Sequence, residues 1–451
     1  MKRLILSVAV LSLVATACKK NGIDKGFSPR STFAGPYVDT VVLPLTITAD
    51  RFLANDTLYV LDGKTYVTNN ATLILEEGTR VEAVKKSTND SASALIVTRG
   101  SQLFAAGTPS DPIVFTSNQA TPATGDWGGI VLLGNAPLNR ADASIEGINL
   151  PSVPAGVDIN YGGGGAGLGD VNHSAGQLEY VIIEYAGAAV ATDNELNGLT
   201  LGGVGAGTIL NHIEVAYGND DAFEFFGGTV NASYLFALAP DDDAFDFDFG
   251  YTGHIQYAVS VLDASQNYSA NPNGIESDNN GTGATDNPRT KAIISNLTVV
   301  GVSTATQATS LGLLNGAHFR RHSSYEVRNS IFIGFPTGVQ LASAGSQADS
   351  SNFSYNLVQA FSAIVNPTSI SLVNNNAKYL GGDANDVVDL ASPWTYDFRP
   401  KAGSPALTLA PNYTGLPSDF ETPAFRGAFG QYDANDITVN NWLAGWAKLS
   451  Y

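Results

Sequence analysis

The sequence has little sulfur, little charge and few basic residues. It contains one cysteine and one methionine among 451 residues, which excludes an intramolecular disulfide framework and a metal centre built from several thiolates. Charged residues make up only 14% of the chain, and 42 acidic against 23 basic residues give a net charge of −19. A surface this acidic repels nucleic acid and anionic lipid headgroups and attracts cations. We therefore expect no nucleic-acid partner.

The amino terminus has the layout of a secretory signal. Lys2 and Arg3 precede an apolar run over residues 4–17, which is too short to span a bilayer. The segment Leu-Val-Ala-Thr-Ala-Cys at 13–18 resembles a bacterial lipobox, in which the cysteine becomes the lipidated first residue. We predict a signal peptide over 1–17 and a tether over 18–44 that begins with lipidated Cys18. Cleavage leaves 23 − 2 = 21 basic residues against 42 acidic ones, a net charge of −21.

The composition of the remaining chain favours a long all-β body. The 47 glycines and 44% apolar content suit many short strands joined by tight turns. A solenoid grows by adding coils, so the length does not require several domains. We predict one solenoid over residues 45–410 and a C-terminal capping segment over 411–451.

A repeat in the middle of the chain supports the solenoid. Six segments share a polar residue, a small residue and then a mostly apolar alternation, at intervals of 24, 22, 30, 42 and 22 residues. They begin at Asn197, Asp221, Asp243, Asn273, Asn315 and Thr337. A period in the low twenties with strand-like alternation is typical of stacked coils, in which equivalent residues lie about 4.8 Å apart.

Stacking these segments predicts two outward columns of side chains. The first column is Thr200, Glu224, Asp246, Glu276, His318 and Gln340. The second, two residues further on, is Gly202, Phe226, Asp248, Asp278, Arg320 and Ala342. The alternating positions, which are Phe223, Phe225, Phe245, Phe247 and Phe319, are expected to point inward.

The two columns contain the candidate site. We predict that the ligand-binding residues are Glu224, Asp246, Asp248, Glu276, Asp278, His318 and Arg320. Stacked like charges destabilise a sheet unless a counter-charge is present. Calcium accepts six to eight oxygen ligands in loose geometry. The sequence therefore predicts a Ca²⁺ site formed by Asp246, Asp248, Glu276 and Asp278.

Asparagines mark a further set of strands. Asn211, Asn296 and Asn329 each open an apolar segment, and Ser233 and Gln256 occupy the equivalent place on the intervening coils. Stacked asparagine side chains can hydrogen-bond along a column and satisfy backbone groups at a turn. We expect them to be structural.

Several stretches resemble right-handed parallel β-helix (pectin-lyase-like) proteins of the cell envelope of Bacteroidetes-type bacteria. The matching stretches are 125–130, 178–187, 219–228, 398–407, 426–430 and 442–446. The resemblance covers the chain from about residue 45 onward. It implies an all-β, right-handed parallel β-helix and, together with Cys18, a lipid-anchored protein of the outer membrane, displayed on the cell surface.

Three functions remain open at this point. The first is a surface binding module for a glycan or other nutrient, with a TonB-dependent transporter as partner. The second is a polysaccharide lyase or glycoside hydrolase of an acidic glycan, with Asp246, Glu276, His318 and Arg320 as catalytic candidates. The fragments 219–221 and 241–243 have only a superficial likeness to polygalacturonases. The third is a structural or adhesion protein in which His318 offsets Glu276 and Arg320 offsets Asp278.

Overall fold

A computed structural model describes residues 36–451 except 89–90, 149–151, 192–193 and 270. The predicted signal peptide, Cys18 and most of the tether lie outside the described residues. No helix in the described part of the chain combines the length and the apolar character needed to cross a membrane.

The described residues form 32 short strands. Those of the first half are β1 (Asp39–Val42), β2 (Thr46–Ile47), β3 (Arg51–Leu53), β4 (Thr57–Leu61), β5 (Lys64–Val67), β6 (Thr72–Leu75), β7 (Arg80–Ala83), β8 (Ala94–Val97), β9 (Gln102–Ala106), β10 (Ile113–Ser117), β11 (Ile130–Leu133), β12 (Ala143–Ser144), β13 (Asn160–Tyr161), β14 (Gly176–Glu184), β15 (Ala189–Ala191) and β16 (Asn194–Glu195). Those of the second half are β17 (Leu199–Gly202), β18 (Ile209–Ala216), β19 (Phe223–Phe226), β20 (Ala232–Leu238), β21 (Phe245–Asp248), β22 (His254–Val261), β23 (Ile275–Ser277), β24 (Lys291–Val300), β25 (Asn315–Phe319), β26 (Ser324–Arg328), β27 (Ile331–Leu341), β28 (Phe353–Ser354), β29 (Leu357–Asn366), β30 (Ala377–Leu380), β31 (Leu390–Ser392) and β32 (Asp397–Pro400).

Twenty-six of these strands form one parallel sheet that winds into three faces. Face A contains β1, β4, β7, β10, the second parts of β14, β18, β20, β22 and β24, the first parts of β27 and β29, and β30. Face B contains β2, β5, β8, β11, β17, β19, β21, β23, β25 and the second parts of β27 and β29. Face C contains β3, β6, β9, the first parts of β14, β18, β20, β22 and β24, and then β26 and β28. The predicted all-β parallel β-helix is confirmed.

The interior of the helix is a continuous apolar stack. Phe223, Phe225, Phe245, Phe247 and Phe319 are all at most 1% exposed, so their predicted inward direction is confirmed. The rings of Phe223 and Phe245 stack at 5.4 Å, and those of Phe225 and Phe247 stack at 5.1 Å. Each such side chain contributes about 1.5–3 kcal/mol through burial.

The corner between faces C and A differs from the predicted asparagine column. At this corner the chain takes a left-handed conformation at Tyr180, His212, Tyr234, Tyr257, Asn296 and Asn329. Asn211 pairs with Ser233 and Ser233 pairs with Gln256, as predicted, but Gln256 pairs with Ser295 and not with Asn296. The predicted alignment of Asn211 with Asn296 is therefore wrong by one residue. The left-handed position, one residue after the Asn211–Ser233–Gln256 column, holds an aromatic ring at Tyr180, His212, Tyr234 and Tyr257 and an asparagine at Asn296 and Asn329.

The strand ladders run from Asp39 to Leu380, a range that begins before and ends before the predicted 45–410. The α-helices in the described part of the chain are α1 (Ala305–Ser310), α2 (Ala344–Ala348) and α3 (Pro405–Thr408). Residues 381–451 pack along the outside of face A, where an apolar cluster joins Phe236 and Ile331 to Phe398, Phe429 and Trp446. This segment covers the outer side of the later coils of face A, whereas β1 at its beginning stays exposed.

A candidate carboxylate site on face B

The first predicted column exists as a register on face B. Thr200 pairs with Glu224, which pairs with Asp246, which pairs with Glu276. The ladder continues from Glu276 to His318 and from His318 to Gln340. The period-two alternation thus identified both the strands and their register.

The second column continues past the ends of the strands. Gly202 pairs with Phe226, and Phe226 pairs with Asp248. Asp278 follows the end of β23, and its amide donates a 2.8 Å hydrogen bond to the carbonyl of Phe247. Arg320 follows β25 in the same way, with its amide 2.9 Å from the carbonyl of Ser277.

The later part of both columns is an ion-pair group. The Arg320 Nε lies 2.9 and 3.0 Å from the two carboxylate oxygens of Asp278, and Arg321 Nη1 lies 2.6 Å from one of them. Arg320 also contacts Glu276, whose carboxylate lies 3.5 Å from His318 Nδ1. Burial raises the pKa of Asp278 even though both guanidinium groups favour its ionised form. Glu276 and Asp278 therefore have counter-charges within the chain.

In the earlier part of the first column, Asp246 feels the charge of Arg320 but forms no ion pair with it. Asp221, Glu224 and Asp246 place carboxylate oxygens within 4.8 Å of one another, and Asp220, Asp221 and Asp242 do the same. None of these five residues forms an ion pair within the described part of the chain. The five are called the carboxylate cluster below. The structure thus divides the predicted metal set: Asp246 belongs to this cluster, whereas Glu276 and Asp278 belong to the ion-pair group.

The cluster residues resist ionisation because they are removed from water and crowded by like charges. Burial raises the pKa of Asp221, Glu224 and Asp246 well above their ordinary values, and repulsion from neighbouring carboxylates raises them further. Burial also raises the pKa of Asp242 to about 6 and that of the neighbouring Asp248 to about 7. A bound cation would reverse these shifts.

Hydrogen bonds from neighbouring coils hold the side chains of the cluster in place. Asp221 Oδ1 accepts a 2.8 Å bond from the amide of Asp243, and Asp243 Oδ1 accepts 2.7 Å bonds from the amide and the side chain of Asn273. Asn197 donates through Nδ2 to Glu224. Two oxygens at the cluster have no hydrogen-bond partner in the described structure, namely Oδ1 of Asn197 and Oδ1 of Asp246. Both are suited to binding a cation or a ligand hydroxyl.

Asp220, Asp221 and Asp242 were not among the predicted site residues. They lie at the corner that leads into face B, immediately before the strands that carry Glu224 and Asp246. Pairs of adjacent aspartates 22 residues apart provided the signal, since one coil of that length returns them to the same corner.

A cleft lies beside the cluster. Residues 134–148 and 152–176, which include the antiparallel pair β12 and β13, pack on the outer side of face B through Ile145, Ile148 and Tyr161. Their glycines allow close approach, because a Cβ on Gly163 would lie 2.2 Å from the Cα of Gly169. A cavity of about 420 Å³ opens between these residues and the sheet. Its lining includes Arg140, Glu146, Asn160, Tyr161, Phe226 and Phe249.

The aromatic wall of the cleft is continuous with the second column. The rings of Tyr161 and Phe226 lie 6.0 Å apart, and those of Phe226 and Phe249 stack at 5.8 Å. The Arg140 guanidinium lies 4.6 Å from the centre of the Phe249 ring. Apolar rings, one cation and several carboxylates thus meet at one edge of face B.

The donor set of the cluster fits a hard divalent cation. Three carboxylates with oxygens within 4.8 Å supply the oxygen ligands that Ca²⁺ prefers. Asp246 Oδ1, which has no hydrogen-bond partner in the described structure, can serve as one of these ligands. Asp221, Glu224 and Asp246 would hold the ion.

A comparison with protein families agrees with this architecture. Residues 45–396 match the family described as a pectate-lyase like beta helix domain. No functionally curated protein matches the chain. The chain is similar to the catalytic domain of a GH87 alpha-1,3-glucanase variant in complex with tetrasaccharides, with 12% identity and a TM-score of 0.31 over 74% of this chain and 62% of that chain. It is also similar to that catalytic domain in complex with nigerose, with 12% identity and a TM-score of 0.30 over 73% and 61% of the two chains. The chain therefore spans less than two thirds of these structures.

Proposed function

Because the chain belongs to the pectate-lyase-like β-helix family, we propose that face B binds a carbohydrate together with a calcium ion held by Asp221, Glu224 and Asp246. The observation that carries this proposal is a group of three carboxylates within 4.8 Å of one another and without an ion pair in the described chain. Like charges at that distance require either a cation or protonation.

The calcium ion and the residues around the cluster would each make a different kind of contact with the carbohydrate. A bound calcium ion would supply positive charge and open coordination positions for ligand oxygens. Asn197 orients Glu224 through its amide and presents an unpartnered oxygen to the same space. Phe249, which packs on the buried rings of the cleft wall, provides partly exposed apolar surface there, and Arg140 provides a cation for an acidic sugar.

Calorimetric titration of the chelated protein with Ca²⁺ tests the proposal. Wild-type protein should bind Ca²⁺, and Asp221→Asn should abolish binding because it removes a shared ligand of both groups of three. Asp278→Asn is the matched control, since that carboxylate contacts Arg320 and Arg321 instead. The absence of binding heat in the wild type, or equal losses in both variants, would contradict a metal site at the cluster.

Catalysis is the second candidate function. Burial raises the pKa of Asp242 to about 6 and of Asp248 to about 7, the range expected of a general acid at neutral pH. Of the predicted catalytic residues, Asp246 is free for such a role, whereas Glu276, His318 and Arg320 contact one another. Incubation with neutral and acidic polysaccharides separates the two functions. Release of reducing ends or of unsaturated products, lost in Asp246→Asn, favours a hydrolase or lyase over a binding module.

The predicted lipid anchor would place the proposed carbohydrate binding at the outer membrane. With Cys18 lipidated, the solenoid would be held at the outer membrane and present face B to extracellular glycans. A TonB-dependent transporter is the partner that we propose for uptake of the bound ligand. Co-purification of a transporter with the native membrane-extracted protein tests this partnership, and purification without one contradicts it.

A further inference from the structure

A second groove follows the corner between faces C and A, on a different side of the solenoid from the carboxylate cluster. It consists of two cavities of about 240 and 370 Å³ on either side of Glu421. Tyr234 and Tyr257 line both cavities. The groove therefore has two compartments, each comparable in size to a sugar unit.

Tyr234 and Tyr257, which line the groove, belong to a ladder of stacked rings that continues beyond the two cavities. Tyr180 stacks on His212 at 4.4 Å, His212 stacks on Tyr234 at 4.4 Å, and Tyr234 stacks on Tyr257 at 5.0 Å. The left-handed backbone at each of these positions repeats on every coil, so the rings lie in register. Trp442 from the C-terminal segment packs edge-on against Tyr234 at 5.5 Å. A site built on this scaffold is formed before a ligand arrives.

The floor of the first cavity is apolar. Ile209 lies on the outer side of face C and is 50% exposed, which is unusual for a large apolar side chain in the middle of a ladder. Phe420 lines the same cavity from the C-terminal segment. Exposed apolar surface between polar walls is the usual composition of a small-ligand site.

The charged groups of the groove already have partners. Glu421 accepts hydrogen bonds from Tyr257 at 2.9 Å and from Tyr234 at 3.4 Å, and Asp419 lies 2.8 Å from His254 Nε2. No lysine or arginine among the described residues lines either cavity. An anion entering the groove therefore meets two carboxylates and no lysine or arginine of the described chain. Hydroxyl groups can still donate to the remaining lone pairs of these carboxylates.

We propose that this groove binds a neutral glycan segment of two sugar units, one in each cavity, without a metal ion. The apolar floor and ring edges contact the carbon faces of the sugars, and Glu421 between the cavities accepts hydrogen bonds from both units. The groove would hold a chain along the side of the solenoid while face B binds its own ligand. This inference does not rest on the function proposed for face B.

Isothermal titration in the presence of EDTA tests the groove. The probes are maltohexaose, cellohexaose, laminarihexaose and mannohexaose, with hexagalacturonate as the anionic comparison. At least one neutral hexasaccharide should bind and hexagalacturonate should not. The proposal is overturned if none of the four neutral probes binds, or if binding appears only when Ca²⁺ is added, because the ligand then sits on face B.

A pair of variants locates the binding. Ile209→Glu puts a third carboxylate on the floor and should weaken binding about tenfold or more, equivalent to at least ~1.4 kcal/mol. Ile74→Glu is the control, because Ile74 lies in the same outward column three rungs away, through Phe104 and Gln177. It should leave binding unchanged. Equal weakening by the two variants, or none by Ile209→Glu, would overturn the assignment.

Discussion

The backbone amide of Lys448 donates a 2.8 Å hydrogen bond to Glu214, a residue 234 positions earlier in the chain. Glu214 has no exposed surface, and its other oxygen accepts a 2.5 Å bond from the Tyr451 hydroxyl. The Lys448 ammonium lies 2.6 Å from the neighbouring Glu184. These contacts fix the end of the C-terminal segment on face A. Burial raises the pKa of Glu214 to about 8, so this carboxyl is protonated at neutral pH.

Stability should fall as the pH rises from about 5 to about 8. A carboxyl whose pKa is raised by folding binds its proton more tightly in the folded state, so its contribution is complete below the unfolded pKa and is lost as the pH approaches the folded pKa. Each unit of pKa difference corresponds to about 1.4 kcal/mol. Glu214→Gln should therefore flatten the decline in the free energy of unfolding, measured by urea denaturation across this range.

Asp242 and Asp248, with pKa values raised to about 6 and about 7, also titrate between pH 5 and 8, so the contribution of Glu214 is obtained by comparing variants. Glu77→Gln is the control, since Glu77 is exposed on a turn between β6 and β7 and is not among the contacts of the C-terminal segment 381–451 described above. It should follow the wild-type curve. An identical pH dependence in Glu214→Gln and in the wild type would show that this carboxyl is ionised throughout.

The phenylalanine stack should carry much of the stability of the central coils. Phe245 is 1% exposed and stacks on Phe223. Phe245→Ala should lower the free energy of unfolding by about 3–5 kcal/mol through lost burial and the cavity that remains. Phe52→Ala removes the same side chain from a position that is 58% exposed and should cost far less. Comparable losses in chemical denaturation would contradict the inward stack.

Alternation within a strand is what made the fold predictable. The segments that begin at Asn197 and Asp221 repeat the same order of polar, small and apolar residues. A shift of one residue would exchange Glu224 with Phe225 between solvent and core, so the pattern permits one register only. The structure has that register on every rung of the first column.

The remaining features depend on contacts that no local pattern contains. The corner column was misaligned because Gln256 pairs with Ser295, which leaves Asn296 at the next position. The separation of the ion-pair group from the carboxylate cluster depends in part on Arg321, which contacts Asp278 although it belongs to neither predicted column. The position of the C-terminal segment follows from shape complementarity between face A and residues hundreds of positions away, which sequence periodicity does not encode.

Lipidation at Cys18 stays a prediction from the sequence. Cleavage after Ala17 would expose the cysteine for acylation and anchor the protein. Wild-type protein expressed in a Gram-negative host should partition into the detergent-soluble membrane fraction and carry the mass of a lipidated N-terminal cysteine. Cys18→Ala should remain unprocessed or become soluble. An unchanged membrane fraction and an unchanged N-terminal mass in Cys18→Ala would show the lipobox interpretation to be wrong.

Removing a negative charge should have opposite effects in the two parts of the columns. Asp246 lies among carboxylates, and burial and repulsion raise its pKa. In calcium-free buffer at about pH 8, Asp246→Asn should therefore raise the free energy of unfolding, by ~1–2 kcal/mol. Asp278 contacts Arg320 and Arg321, so Asp278→Asn should lower it by about 1 kcal/mol, a modest loss because burial opposes ionisation of Asp278 and both arginines are partly solvated.

Added calcium should make the wild type more stable than Asp246→Asn, the reverse of their order in calcium-free buffer. Binding to the folded state alone raises the melting temperature by linkage, so wild type and Asp278→Asn should both gain stability as Ca²⁺ is added. Asp246→Asn lacks one of the three grouped carboxylates and should gain little. Thermal unfolding of the three proteins with EDTA and with Ca²⁺ measures both effects. If Asp246→Asn is less stable than the wild type in EDTA, the contacts of Asp246 stabilise the fold more than carboxylate repulsion destabilises it, and the prediction is wrong. If it responds to Ca²⁺ as the wild type does, the ion binds elsewhere.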